Sequence, residues 1–187
     1  MSDDLGSEPT PDEIASLLQV EHLLDQRWPE TKLEPSTARI SALMEMLGSP
    51  QLGYPSIHIG GTNGKTSVAR MVDALLTALA RRTGRTTSPH LQSAVERISI
   101  DGRPISPATY VNTYREIEPF VELVDQQSEG AGGPKMSKFE VVTAMAFAAF
   151  ADAPIDVAVV EVGLGGRWDA TNVVNAPVAV ITPIGID

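Results

Sequence analysis

The chain has 187 residues, 42% of them hydrophobic and 20% charged, the balance of an ordinary globular protein with a core of its own. Its 14 Lys and Arg stand against 24 Asp and Glu, a net charge of −10, which argues against sequence-independent nucleic-acid binding through a basic surface. Cysteine is absent, which excludes disulfides and thiolate metal sites. No apolar run reaches the roughly 18–20 residues of a membrane span. The acidic start lacks the basic and apolar regions of a signal peptide, so a cytoplasmic protein is expected.

Residues 1–10 read as a disordered tail, polar and acidic with Gly and Pro. Thr10-Pro11-Asp12-Glu13 then has the form of a helix start, and Ile14, Leu17, Leu18, Leu23 and Leu24 make its apolar stripe up to about Gln26. A second helix is expected over 36–46, with Ile40, Leu43, Met44 and Leu47 on one face and Gly48 as the stop. Ser56-Ile57-His58-Ile59-Gly60 alternates as a short strand and leads into a glycine-rich loop. From 65 to 81 the apolar residues Val68, Met71, Val72, Leu75, Leu76 and Leu79 repeat at three and four, a helix that Gly84 is expected to end.

Residues 86–90 read as a strand end running into a loop, and 97–105 as a hairpin about Asp101-Gly102. A helix follows from Pro107 to about Gln127, then a Gly- and Ser-rich loop to Pro134. Ser137 caps a helix over 139–151 that is apolar nearly all round and therefore buried. Residues 156–161 and 178–182 are β-branched runs suited to strands buried on both faces. Helices alternate with strands, so the class is α/β, a largely parallel sheet with flanking helices. The chain stops at Ile186-Asp187, straight after a strand, and reads as truncated at its C-terminus, with one crossover missing.

Gly60-Gly61-Thr62-Asn63-Gly64-Lys65-Thr66-Ser67 sits between a predicted strand and a predicted helix, the setting of a phosphate-binding loop. Glycines let successive amides turn toward phosphate oxygens, and the helix N-terminus adds its positive end. Lys65 would reach the β- and γ-phosphates and Thr66 would offer a hydroxyl to Mg²⁺. The common Gly-x-x-x-x-Gly-Lys-Thr spacing would need glycine at 59, where Ile59 stands, so the loop is one residue short. The bland alternative is a glycine-rich turn beside an ordinary surface lysine. Taken on their own residues, Glu161 is either a Mg²⁺ ligand at a strand end or a buried acid held by loop amides. Ser88, before Pro89, reads as a turn residue, His90 as loop lining, and Phe139 as either core or site. No Gly-x-Ser-x-Gly elbow is present, so a Ser–His–Asp hydrolase is not supported.

The shortened loop resembles that of the Mur ligase superfamily, which joins an amino acid to a carboxylate with ATP. Three further stretches are similar to its folylpolyglutamate synthase and dihydrofolate synthase branch. They are Thr87-Ser88-Pro89-His90-Leu91 with Glu96-Arg97-Ile98, then Ser137-Lys138-Phe139-Glu140, then the block from Glu161 through Gly165-Gly166-Arg167-Trp168-Asp169-Ala170-Thr171-Asn172. Thr66 departs from that branch, which more often has Gly before Ser.

The resemblance implies an incomplete ATP-binding domain over 11–187 and lacks a C-terminal glutamate-ligase domain. It implies ATP held by Gly61, Thr62, Asn63, Gly64, Lys65, Thr66 and Ser67, with Lys65 and Glu161 catalytic. Mg²⁺ would lie on Thr66, Ser88 and Glu161. The pterin of dihydropteroate or a reduced folate would meet Pro35, Ser36, Thr37, Ser137, Phe139, Glu140, Asp169 and Ala170. The implied reaction passes through an acyl phosphate attacked by L-glutamate, in folate biosynthesis and polyglutamylation. In the family an Asp-His pair follows the last strand, and Asp187 stops one residue short of that His. The expectation is therefore a monomeric chain, inactive by itself. A non-catalytic nucleotide- or pterin-binding module and a cell-wall Mur ligase fragment are the alternatives.

Overall fold

The computed structural model describes residues 8–27 and 36–185. Its helices are α1 (Pro11–Asp25), α2 (Ala38–Met46), α3 (Lys65–Ala78), α4 (Pro107–Gly130) and α5 (Lys138–Asp152). Its strands are β1 (Ser56–Gly60), β2 (Thr83–Thr86), β3 (Ile98–Ile100), β4 (Arg103–Pro104), β5 (Val157–Glu161) and β6 (Val178–Ile181). They form one six-stranded sheet in the order β4-β3-β2-β5-β1-β6. The four strands from β2 to β6 are parallel, and β3 and β4 add an antiparallel hairpin at the β2 edge. The expected α/β class and largely parallel sheet are what the chain adopts. The hairpin turns at Asp101 and Gly102, both with positive φ (50° and 75°), as a tight two-residue turn requires.

The two faces of the sheet are covered unequally. On one side α5 lies on β2, and α4, α1 and α2 pack behind it around Tyr110, Phe147, Phe150, Ile40 and Leu43. As expected for an all-apolar helix, α5 is buried along most of its length. On the other side α3 lies over β1, β5 and β2, the one helix there among the described residues, with Ile59, Ala69 and Val159 as a small core.

Several expectations are corrected. The buried face of α1 is Leu17, Val20 and Leu24, while Ile14, Leu18 and Leu23 point outward. Only one stripe can face α4, and the i, i+3, i+7 set wins. The α3 helix ends at Ala78, because Ala80 takes a left-handed conformation (φ 57°) and the Arg81 amide closes back on the Leu76 carbonyl. Gly84 is therefore not a helix stop but a residue of β2. A Cβ there would lie 2.6 Å from the Phe150 ring and 2.8 Å from Ile155, so glycine is what lets α5 sit down on the sheet. The α4 helix runs through Pro119 to Gly130, beyond Gln127. Buried side chains on both sides of the proline, Tyr110 to Ile117 and Val121 to Val124, hold it despite the lost backbone bond. Finally, β6 is not buried. Among the described residues it pairs with β1 alone, so Val178 and Ile181 are 48% and 72% exposed, while Val180 packs against the small core under α3.

Candidate functional site

Strand order decides where the chemistry-bearing residues meet. The crossover through α3 carries the chain from β1 to β2 past a gap, and β5 fills that gap. The carboxyl end of β5, where Glu161 pairs in register with Ile59, thus lies between the loop that leaves β1 and the loop that leaves β2. Such a switch point in an open parallel sheet is a ligand crevice. Glu161, which is only 3% exposed, accepts the Thr66 hydroxyl on Oε1 at 2.8 Å and the Ser88 amide on Oε2 at 3.3 Å. Thr66, Ser88 and Glu161 are therefore together, although Ser88 meets Glu161 through its amide rather than its hydroxyl. Lys65 folds its ammonium back on the loop, donating to the Gly61 carbonyl at 2.8 Å and to that of Thr62 at 3.4 Å. Gly64 reaches the helix start with φ 84°, which a residue with a Cβ rarely adopts.

Burial pushes the Glu161 carboxyl above its ordinary range, against the Thr66 hydroxyl, the Ser88 amide and the charges of Lys65 and Arg70. The donors are oxygens, one carboxylate and one hydroxyl, which suits Mg²⁺. Among the described residues no group of three His, Cys, Asp or Glu could hold a metal by itself. The protein would thus supply few ligands and phosphate oxygens the rest. Beneath this floor, Asp73 on α3 is 2% exposed, accepts the Thr83 hydroxyl at 2.5 Å and pairs with Arg85 at 3.5 Å. Arg85 also donates to Ser99 at 2.8 Å, and its Nε is buried without a hydrogen-bond partner. Burial lowers the Arg85 pKa, and the charges of Asp73 and Glu161 oppose that.

The residues expected to meet a pterin gather at the N-terminal ends of α2 and α5 and the loop after β5. Pro35 lies outside the described residues. Ser36 Oγ accepts the Ala38 amide at the start of α2, Thr37 is its N-cap residue, and Arg39, the second residue of the helix, donates to Glu140 at 3.1 Å. Ser137 and Glu140 form a reciprocal capping box at the start of α5. Phe139 is half-buried, and its ring lies so close over Gly163 that a Cβ there would come within 2.8 Å of Cε1. Asp169 is buried, with Oδ2 on the Leu164 amide (2.8 Å) and Oδ1 on the Thr171 amide (2.9 Å) and hydroxyl (2.5 Å). Ala170 is buried in the short 3-10 turn Ala170–Val173, which touches both α2 and α5. Leu164 and Trp168 stand exposed at the tip of this loop, with the Arg167 guanidinium 5.4 Å from the Trp168 ring centre. His90 is loop lining, its Nδ1 accepting from Arg97 at 2.9 Å.

A polar chain unforeseen in the sequence ties the two halves together. His58 on β1 lies 2.7 Å from the Thr171 hydroxyl, and since that hydroxyl donates to Asp169, the His58 Nε2–H donates to it. Burial depresses the His58 pKa below its ordinary 6.5, against the pull of Asp169. A depressed folded pKa contributes stability that is present above 6.5 and is lost as pH falls through the folded value. His58→Gln is thus expected to lose less stability than the unaltered chain between neutral pH and about pH 5. Urea unfolding at the two pH values checks this, and equal losses in both proteins would sink it.

His58, Asp73 and Arg85 carry no motif of their own, and Thr171 stands inside the Glu161–Asn172 stretch where nothing marks it as the partner of His58. The only signal was position: His58 two residues before the loop, and Asp73 as a lone acid on the apolar side of α3.

No family model matches the chain. A protein named dihydrofolate synthase/folylpolyglutamate synthase from Mycobacterium tuberculosis (strain ATCC 25618 / H37Rv) is 83% identical over 185 residues, 97% of this chain and 38% of that protein. Its namesake from Bacillus subtilis (strain 168) is 38% identical over 83% of this chain and 35% of its own length. Among solved structures, Mycobacterium tuberculosis folylpolyglutamate synthase complexed with ADP superposes with a TM-score of 0.90 at 81% identity, over 94% of this chain and 38% of that one. A complex of folylpolyglutamate synthase with AMPPCP and folate gives 0.83 at 34% identity, over 91% and 41%. The chain thus spans less than half the length of each of these relatives.

Proposed function

We propose, from the premise that the chain belongs to the folylpolyglutamate synthase/dihydrofolate synthase family, that it forms the ATP- and pterin-binding part of a ligase adding L-glutamate to dihydropteroate or folates. The observation that carries this reading is the meeting of Thr66, Ser88 and Glu161 below the Lys65 loop. ATP with Mg²⁺ supplies the phosphoryl group that activates a substrate carboxylate. In this chain, amides of the loop would orient phosphates, Lys65 would turn from the Gly61 carbonyl to their charge, and Glu161 with Thr66 would offer oxygens to the metal. Phe139, backed by Gly163, presents a ring edge and face to a flat heterocycle. The identity of the relatives, all folate enzymes in name, favours the folate branch over cell-wall ligases.

The finer parts of the reading are a monomeric state, no nucleic-acid partner and residence in the cytoplasm. Among the described residues no helix is long and apolar enough to cross a membrane. Calorimetry with ADP and Mg²⁺ tests the core of the proposal. The chain is expected to bind ADP, and Lys65→Met to weaken it by about tenfold or more, the worth of a charge-assisted phosphate contact. No heat with ADP, or an unchanged affinity in Lys65→Met, would overturn the reading.

A further inference from the structure

We propose that residues 182–185, directly after β6, are a strap that positions the phosphate loop by permanently occupying its first amides. Bound phosphate would then be cradled by the amides of residues 64–67 alone. This rests on the nucleotide reading of the site, and it narrows that site residue by residue.

Five hydrogen bonds make the strap. The Thr182 amide and hydroxyl both donate to the Gly60 carbonyl, at 2.9 and 3.2 Å. The Pro183 carbonyl accepts from the Thr62 amide at 3.1 Å and from the Asn63 amide at 3.3 Å. The Gly185 amide donates to the Thr62 hydroxyl at 3.1 Å. The loop and the strap also touch so closely at Gly61 that a Cβ there would lie 2.8 Å from the Thr182 carbonyl oxygen. Two neighbouring amides converging on one acceptor form the kind of nest that holds an anion's oxygen. Here a carbonyl of the chain already fills it.

The consequence is energetic as well as geometric. A glycine-rich loop left free would lose roughly 1–2 kcal/mol of conformational entropy per residue when a phosphate ordered it. Residues 60–63, held to the strap in advance, no longer carry that cost, and the rest of the loop starts from a fixed base at Gly64. Thr182 is buried at 7% exposure and acts through the Gly60 carbonyl that it holds, so it is a positioning residue.

Amide hydrogen exchange on the ¹⁵N-labelled chain tests the strap, first without ligand and then with ADP as probe. The Thr62 and Asn63 amides are expected to be protected already in the ligand-free chain and to change little with ADP. Those of residues 64–67 should gain protection only when ADP is present. Thr182→Ala should speed exchange at Thr62 and Asn63 at least tenfold and weaken ADP about tenfold, near the worth of a buried hydrogen bond. Thr182→Ser should restore both, which a general loss of packing would not. Free exchange of Thr62 and Asn63 without ADP, with protection appearing only on binding, would overturn the strap and make both amides phosphate ligands. So would unchanged exchange in Thr182→Ala. Protection of Thr62 and Asn63 with no response of residues 64–67 to ADP would uphold the strap and sink the nucleotide reading instead.

Discussion

Asp73→Ala is expected to lower the unfolding free energy by about 3 kcal/mol, because it strands a buried guanidinium. Asp73 is the partner of Arg85, whose side chain is 11% exposed and whose Nε is already without an acceptor. Removing the carboxylate also deprives the Thr83 hydroxyl, in β2, of its 2.5 Å acceptor on α3. A buried ion pair adds little over an apolar replacement of both partners, but breaking it from one side is costly. The Asp73→Ala/Arg85→Met double variant should accordingly recover part of the loss. With a urea m-value of about 2 kcal/mol/M, the single variant's midpoint should fall by about 1.5 M. A shift under about 0.3 M would mean that the pair is not what joins α3 to the sheet.

Gly61→Ala is expected to weaken ADP by at least about 100-fold, or roughly 2.7 kcal/mol, while the rest of the fold stays intact. Two causes act together. The residue sits at φ 129°, a conformation that side chains other than hydrogen rarely adopt. The added Cβ would also press on the Thr182 hydroxyl and carbonyl, which are held by the Gly60 carbonyl and the end of β6 and cannot yield. The loop must then lift off its strap, and Lys65, which rests on the Gly61 carbonyl at 2.8 Å, moves with it. Calorimetry with ADP measures the affinity, and far-UV circular dichroism reports whether the helices are kept. An affinity within about threefold of the unaltered chain would show that the backbone relaxes there without cost to the site.

Local chemistry made part of this protein legible before any coordinates. Strand β1, the glycine loop and α3 follow each other within a few residues, and alternation, glycine and helical repeat are short-range signals. Thr10 and Ser137 cap α1 and α5 through side-chain bonds three residues long, and Asp101-Gly102 turns the β3–β4 hairpin. Fold class and the glycine-rich loop between β1 and α3 could therefore be read directly, and the residues that resemble a family pointed to the relatives the chain matches.

Other features depended on partners distant in sequence. Which leucines of α1 face inward was set by where α4 lies, not by their number. Gly84 looked like a helix stop until Phe150, from a helix dozens of residues later, was found against it. β6 has the composition of a buried strand, yet which strand it pairs with, β1 rather than its chain neighbour β5, is not encoded in hydropathy. Among the candidate site residues, Ser137, Glu140 and Asp169 carry polar side chains that hold each other or their own loops. The sequence named them without telling which oxygens were already engaged.

What the sequence alone determined is thus most of the local elements, the α/β class and the glycine-rich loop between β1 and α3, all matters of spacing within a dozen or so residues, and the family through the order of its separate motifs. What only the tertiary structure decided is the convergence of Thr66, Ser88 and Glu161 through the insertion of β5, the His58–Thr171–Asp169 chain, and the strap on Thr62 and Asn63. The physical reason is the same in each case. A hydrogen bond or a close approach acts over about 3 Å of space, and only the order of strands in the sheet brings residues 60, 88, 161 and 182 within that distance.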